Sequence, residues 1–223
     1  MKQKTTAHRF RLPYTSGQVC DMLLQACRVE VQHRHRDFYA SPLYLACIRD
    51  IAAWLTSSDS TFGLFICGGA GNGKSTILHA LRNLIRFLRA DEPYSRTQND
   101  FVIISARRLV SLAKAHNNPT RETQELADSY RKALDTPVLA IDDLGTEPRE
   151  SMHYGDFVMA ATDILTHRYD MQLCTLVTSN LAAAEIATYY DNRIADRFAE
   201  MMHIVNFGNQ QSYRKNPLIN PNS

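Results

Sequence analysis

Hydrophobic residues along this chain form short apolar runs that alternate with longer stretches of helical spacing. The runs have the length and side-chain types of buried strands and cover 64–67, 101–105, 138–141, 173–178 and 203–207. Segments with apolar residues three and four positions apart predict helices at about 16–35, 42–55, 74–89, 106–115, 120–134, 156–168 and 191–201. Buried runs separated by helices are typical of a parallel sheet that is covered on both faces. We therefore expect an α/β fold with a five-stranded parallel sheet.

The strongest chemical signal follows the first apolar run directly. Residues 68–75 read GGAGNGKS, which matches the phosphate-binding pattern G-x-x-x-x-G-K-[ST] in its strand–loop–helix context. Glycines let several backbone N–H groups turn toward one anion, and the N-terminus of the next helix adds a positive field. The pattern predicts that Lys74 reaches the terminal phosphates of ATP and that the Ser75 hydroxyl ligates Mg²⁺. The alternative is a glycine-rich turn with a chance lysine and serine. The predicted nucleotide-binding residues are Gly68, Gly69, Ala70, Gly71, Asn72, Gly73, Lys74, Ser75 and Thr76.

A second chemical signal is the acidic pair that ends the third apolar run. Asp142 and Asp143 follow Ile141, and at the carboxyl end of a strand the first aspartate can hold Mg²⁺ through its water shell. The second can orient the attacking water. An acidic turn after a strand is the alternative. Ligands of such sheets bind at the carboxyl ends of the strands, where Gly68, Asp142 and Asn180 are all expected to lie.

Length and composition indicate an ordinary globular protein. The chain has 223 residues, of which 44% are hydrophobic and 22% charged, so neither a disordered nor a fibrous class is indicated. We expect a nucleotide-binding core over 37–223 and a short helical N-terminal arm over 1–36 that is a candidate for binding a partner. No apolar segment reaches membrane-spanning length, and the basic N-terminus lacks the apolar core of a secretory signal, which predicts a cytoplasmic protein.

Cysteine count and net charge add little to the functional picture. The five cysteines show no metal-binding spacing and are expected to be small buried hydrophobic residues. A net charge of +2 does not by itself indicate nucleic-acid binding.

Four further motifs occur in a specific order along the chain. They read DDLG at 142–145, TSNL at 178–181, NRIADR at 192–197 and SYR at 212–214. With the phosphate-binding loop, this ordered set resembles the AAA+ ATPases of the DnaC, DnaI and IstB family, over residues 37–214. The resemblance implies that Asn180 senses the terminal phosphate.

It also implies that Arg197 is an arginine finger, which reaches the nucleotide of a neighbouring subunit, and that Arg193 supports the same interface. Self-association through this face follows from that role. The alternative is a salt-bridged helix face that includes Asp191, Asp196 and Glu200.

The chain departs from the family pattern in two places. Asp143 stands where many members have glutamate, and its shorter side chain suggests slow hydrolysis. The chain also ends soon after the fifth apolar run, so we expect no C-terminal helical lid, as is typical of the helicase-loader branch.

The function that the resemblance implies is that of an ATP-switched helicase loader. Its partners would be a hexameric replicative helicase and single-stranded DNA, with Arg107, Arg108 and Lys114 as candidate phosphate contacts. One alternative in the same family is a transposition helper that acts with a transposase on duplex DNA. A small-molecule kinase and a nucleotide-binding module with little turnover are alternatives from other classes.

Overall fold

A five-stranded sheet forms the centre of the molecule. The computed structural model describes residues 9–58, 61–88, 101–146, 154–208 and 212–213, with the backbone alone for 154–159. The strands are β1 (Gly63–Cys67), β2 (Phe101–Ser105), β3 (Val138–Leu144), β4 (Cys174–Ser179) and β5 (Met202–Asn206). Their order is β2-β3-β4-β1-β5, and every pairing is parallel. The predicted α/β class and the predicted parallel sheet are confirmed.

Helices connect the strands, and several begin at the polar residues that the sequence supplies. They are α1 (Ser16–Gln32), α2 (Pro42–Thr56), α3 (Lys74–Leu88), α4 (Ala106–Asn117), α5 (Gln124–Asp135), α6 (Tyr154–Asp170), α7 (Ile186–Tyr189) and α8 (Asn192–Met201), with a 3-10 turn at Ala183–Glu185. The side chains of Thr15, Ser41 and Asp191 accept hydrogen bonds from the first turns of α1, α2 and α8. Such caps satisfy backbone N–H groups that have no partner within the helix.

Helices cover both faces of the sheet. Side chains alternate along a strand, so Leu64 and Ile66 of β1 join one hydrophobic cluster while Phe65 and Cys67 join the other. The first cluster includes α1, α2 and α3, and the second includes α4, α5, α6 and α8. The sheet is therefore the middle layer of three.

The N-terminal helix belongs to one of these layers. Val19, Leu23 and Cys27 of α1 are fully buried, in the same cluster as the inner faces of α2 and α3. The sequence-based division at residue 36 thus does not coincide with a boundary between hydrophobic cores. A partner that binds α1 would contact its outer face, and this role stays a prediction.

The cysteines behave as the sequence suggested. All five thiols are free, four are buried and Cys20 is half-buried. Burial raises the pKa of Cys27 and of Cys174 to about 12, so these thiols are uncharged at neutral pH and pack as apolar groups.

A buried arginine that the sequence did not single out connects α6, α5 and β4. Arg168 is fully buried. Its guanidinium donates to the carbonyl oxygens of Ala133, Leu134, Thr136 and Cys174 and to the Thr175 hydroxyl, at 2.6 to 3.0 Å. Burial lowers the pKa of Arg168 to about 10, which leaves it charged at neutral pH.

No described helix is both long enough and apolar enough to cross a membrane.

Candidate nucleotide-binding site

The glycine-rich loop joins β1 to α3 and turns sharply at three glycines. Gly68, Gly71 and Gly73 have φ angles of 136°, 84° and 87°, in the left-handed region that side chains disfavour. A Cβ atom at Gly68 would lie 2.8 Å from the Gly208 carbonyl oxygen. Glycine is therefore needed at Gly68 for close backbone approach as well as for the turn.

Residues that follow β5 form hydrogen bonds with this loop. The Gly208 carbonyl accepts hydrogen bonds from the Gly69 N–H and from the Asn72 side-chain amide, both at 2.9 Å. The Tyr213 N–H donates to the Gly71 carbonyl at 3.1 Å. Of the SYR motif in the sequence, Ser212 and Tyr213 thus lie at the loop, and Arg214 falls outside the described residues.

An aromatic group packs beside the same loop. The Tyr44 ring meets the rings of Phe207 and Tyr213 edge-on, with centroids 5.6 and 6.1 Å apart. A Cβ atom at Gly73 would lie 3.2 Å from this ring. The N-terminal end of α2, the loop and the C-terminal segment therefore pack as one unit.

Lys74 folds back over the loop and connects it to β4. Its ammonium group donates to the carbonyls of Gly68 and Gly69 at 2.8 and 2.7 Å and to the Asn180 side-chain oxygen at 3.0 Å. The lysine is 4% exposed, whereas Asn180 is exposed at the end of its strand. The structure thus brings together the predicted phosphate-binding lysine and the predicted sensor.

Ser75 and Asp142 lie next to each other, as the sequence predicts for a magnesium site. The Ser75 hydroxyl donates to Asp142 Oδ1 at 3.0 Å. Hydroxyl and carboxylate oxygens are ligands that Mg²⁺ prefers, and Mg²⁺ is usually held by one or two carboxylates together with substrate phosphates. Within the described part of the chain, no three His, Cys, Asp or Glu side chains group into a metal site. The adjacent Ser75 hydroxyl and Asp142 carboxylate fit a metal that is bound jointly with the phosphates of a nucleotide.

Asp143 has a different backbone conformation from its neighbour. Its φ angle is 59°, and β3 continues through it to Leu144 instead of ending at Ile141. The Asp143 carbonyl accepts from the N–H and the hydroxyl of Thr146 at 3.2 and 2.7 Å. These contacts fix the backbone that carries the predicted water-orienting carboxylate.

A histidine and two arginines extend the charged surface from this site along α3. His79 is half-buried one turn after Ser75, and its Nδ1 lies 3.3 Å from a guanidinium nitrogen of Arg82. Burial is the main reason that the pKa of His79 is lowered, and the positive charge of Arg82 acts in the same direction. Burial and the nearby Arg86 likewise lower the pKa of Arg82.

The two arginines of α8 differ in their surroundings. Arg197 donates to the Thr166 hydroxyl, lies 3.9 Å from the Asp170 carboxylate and stacks over the Tyr169 ring at 5.3 Å, all on α6. Its side chain is 18% exposed, whereas Arg193 is exposed.

The acidic residues named for the alternative salt-bridged face have other contacts. Asp191 caps α8, and Glu200 accepts from the Tyr169 hydroxyl. Among the described residues, Arg197 forms an ion pair with Asp170 on another helix, α6, and its role as a finger stays a prediction.

The candidate DNA-contacting cations lie on one helix. Arg107, Arg108 and Lys114 are all exposed on α4, and the Arg107 Nε donates to the Thr146 carbonyl at 3.3 Å. This bond brings the start of α4 close to the loop that follows Asp143.

Sequence comparisons and structural comparisons give different results for this chain. No protein-family model and no curated protein matches it. The crystal structure of the DnaC helicase loader is similar with a TM-score of 0.58 and 19% identity, over 76% of this chain and 93% of that one. DnaI is similar with a TM-score of 0.52 and 20% identity, over 82% and 92% of the two chains. The replication initiator DnaA bound to AMPPCP and single-stranded DNA gives 0.52 and 15%, over 79% of this chain and 49% of that one. At these identities the likeness shows the fold alone, which is that of the DnaC and DnaI structures.

Proposed function

We propose that this chain, which has the fold of the DnaC helicase loader and of DnaI, is an ATPase that assists the loading of a hexameric replicative helicase on single-stranded DNA. ATP and Mg²⁺ would bind at the loop 68–76, with Ser75 and Asp142 on the metal and Asp143 on the attacking water. Asn180 would contact the terminal phosphate, and Arg197, supported by Arg193, would act on the nucleotide of a neighbouring copy.

One observation carries this proposal. Lys74 is hydrogen-bonded to Asn180, and the next residue, Ser75, is hydrogen-bonded to Asp142. Two adjacent residues at the start of α3 thus connect the phosphate-binding loop to the Asp142 carboxylate and to Asn180 after β4. Bound Mg²⁺ would supply neutralisation of phosphate charge, and the protein side chains would position the nucleotide around it.

Nucleotide binding is tested by Lys74→Ala. The substitution removes charge-assisted hydrogen bonds to phosphate that are worth about 1.5–3 kcal/mol each, so we expect ATP affinity to fall by about 100-fold or more. Titration of a fluorescent ATP analogue measures this affinity, and release of phosphate measures turnover. Lys114→Ala removes the same charge from exposed α4 and serves as the control. Equal turnover by wild type and Lys74→Ala would assign the hydrolysis to a contaminant.

The helicase partner is tested by co-purification. The helicase encoded in the same genome is expected to be retained by the wild-type protein with ATP and not by Lys74→Ala. If α1 binds the partner, its outer face makes the contact, where Arg28 is exposed and Val29 is 61% exposed. Arg28→Ser with Val29→Ser should then reduce retention while leaving ATP affinity unchanged. Failure of the wild type to associate with the helicase in any nucleotide state would refute the loader proposal.

The type of DNA separates the loader from the transposition helper. A loader is expected to bind single-stranded DNA more tightly than duplex DNA in ATP, with a steep dependence on salt. Fluorescence anisotropy at matched salt measures both affinities. Preference for duplex DNA, together with retention of a transposase, would favour the helper.

A nucleotide-binding module with little turnover is the second candidate. Two observations favour it: the acidic pair ends in the shorter aspartate, and Arg197 is engaged by α6 of its own chain. In that case ATP binding and partner association would survive while phosphate release stays at background, because binding alone can shift an assembly equilibrium.

A further inference from the structure

Thr178 lies on β4 opposite the two aspartates of the site. It is fully buried. In the pairing of β3 with β4, Ile141 is opposite Val177 and Leu144 is opposite Ser179. Two residues of β3, Asp142 and Asp143, therefore face the single residue Thr178. Two residues on one strand opposite one residue on the other define a β-bulge, which changes the direction of side chains and leaves one residue unpaired in the ladder.

The Thr178 hydroxyl connects the two aspartates at the bulge. Its oxygen lies 2.8 Å from the Asp143 backbone nitrogen and 2.5 Å from Asp142 Oδ1. A backbone N–H can only donate and an ionised carboxylate can only accept. The hydroxyl therefore accepts a hydrogen bond from the Asp143 N–H and donates its own hydrogen bond to Asp142 Oδ1, so the direction of both bonds is fixed.

Each of these bonds has a separate consequence. The first gives the N–H of the half-buried Asp143 a partner within the bulge, and so it supports the left-handed turn at that residue. The second adds a donor to the oxygen that also accepts from Ser75, and two donors on one oxygen fix the rotation of the Asp142 carboxylate. The other carboxylate oxygen would then serve the water shell of a bound Mg²⁺.

We propose that Thr178 is a positioning residue, whose hydroxyl sets the placement of Asp142 and Asp143 relative to each other. The inference rests on the proposed function of the same site. It assigns a role to a residue that the sequence marks only as the first position of the TSNL motif, in which Asn180 alone was given a function.

Magnesium dependence tests the proposal without requiring turnover. The affinity for a fluorescent ATP analogue is measured in EDTA and over a series of Mg²⁺ concentrations, for wild type, Thr178→Val and Thr178→Ser. Valine keeps the shape and removes the hydroxyl, while serine restores the hydroxyl. The rate of ATP hydrolysis at saturating ATP is measured in parallel, and thermal unfolding identifies any variant that fails to fold. Thr178→Ala replaces the valine variant in that case.

Thr175→Val is a matched control on the same strand. Thr175 is also fully buried, and its hydroxyl donates to the Leu173 carbonyl at 2.9 Å and accepts from Arg168 at 2.8 Å. Its contacts lie at the opposite end of β4 from the site. The control therefore shows what the loss of one buried threonine hydroxyl does to stability alone.

The expected result separates the two threonines. Thr178→Val should bind ATP as wild type does in EDTA. It should need about 10- to 100-fold more Mg²⁺ for the metal-linked gain in affinity, with a similar fall in turnover at a fixed low Mg²⁺ concentration, because partners that orient a ligand typically contribute this much. Thr178→Ser should approach wild type, and Thr175→Val should keep the wild-type Mg²⁺ dependence.

Three outcomes would overturn the inference alone: an unchanged Mg²⁺ dependence in Thr178→Val, an equal defect in Thr178→Ser, or an equal defect in Thr175→Val. A wild-type protein that does not bind ATP would overturn the proposed function, and the inference with it.

Discussion

At the scale of the residue, His79 links the stability of the protein to pH. Burial and the charges of Arg82 and Arg34 lower its pKa below the ordinary 6.5, against the opposing effects of Glu30 and Asp142. When the folded pKa of a base is lowered, the unfolded chain takes up the proton first as the pH falls. The free energy of unfolding should therefore decrease as the pH drops below about 6.5.

Urea unfolding between about pH 7 and pH 5 measures this decrease. His79→Gln should remove part of the slope, and His33→Gln, at an exposed position, is measured alongside as a control. An equally steep decrease in His79→Gln and in the wild type would contradict the assignment to His79.

Residue patterns predicted the placement of a side chain only where that placement follows from residues adjacent in the sequence. The loop 68–75 and the positions of Asp142 and Asn180 at the sheet edge could be predicted, because a motif and a strand end are local features. The contacts of Thr178 and Arg168 could not, since their partners lie on other elements; the TSNL motif marked Thr178 without indicating what it contacts. The contact between Arg197 and α6 was missed for the same reason.

At the scale of the element, the Arg168 side chain connects the end of α5 to the beginning of β4 through hydrogen bonds. Its guanidinium donates to four carbonyl oxygens and to the Thr175 hydroxyl, and a buried acceptor that loses its donor costs about 1–3 kcal/mol. Arg168→Met should therefore lower the free energy of unfolding by about 3 kcal/mol or more. Arg168→Lys should also destabilise, because an ammonium group has fewer donors and a different shape.

The neighbouring His167 provides the control for Arg168. It lies 2.9 Å from Asp135, with side-chain exposures of 36% and 73%, so loss of this surface pair should cost at most about 1 kcal/mol. Urea unfolding of Arg168→Met and His167→Ala compares the two. If both variants lose the same free energy of unfolding, the buried guanidinium does not stabilise the contact between α5 and β4.

The apolar runs predicted all five strands, since each run is long enough to cross a buried sheet. They did not give the strand order, because any parallel arrangement buries the same residues. The bulge in β3 was also missed. The apolar run predicted that the strand ends at Ile141, with Asp142 and Asp143 after it, yet β3 continues to Leu144.

At the scale of the whole molecule, the proposed finger role of Arg197 would couple turnover to assembly. In the single chain it contacts Thr166 and Asp170 of its own α6, so a role on a neighbouring nucleotide requires an exchange of partners. Arg197→Ala should leave ATP affinity intact and lower hydrolysis only in the assembled form. Arginine fingers in other NTPases contribute about 1,000-fold or more.

Hydrolysis measured against protein concentration distinguishes the two states. Arg193→Ala, on the exposed side of the same helix, shows the effect of a supporting cation. Unchanged hydrolysis by assembled Arg197→Ala would assign the residue to the packing of α8 on α6.

The packing of α1 is also a property of the whole molecule, and the division at residue 36 stays a prediction. The apolar stripe of α1 predicted a helix with one buried face, but the stripe does not specify which surface covers it. Leu23 and Cys27 pack with α2 and α3, and the core is continuous from α1 to the sheet.

The hydrogen bonds from Gly208 and Tyr213 to the phosphate-binding loop affect which substitutions the protein can tolerate. Two of these three hydrogen bonds, Gly69 to Gly208 and Tyr213 to Gly71, run between backbone atoms. A substitution at Tyr213 that keeps the backbone N–H would leave the bond to Gly71 in place, whereas proline would remove the donor. Gly208 has a φ angle of 59°, so a side chain there would strain the backbone that carries the accepting carbonyl. Support of the loop therefore depends on the backbone conformation at these two positions more than on the side chain at position 213.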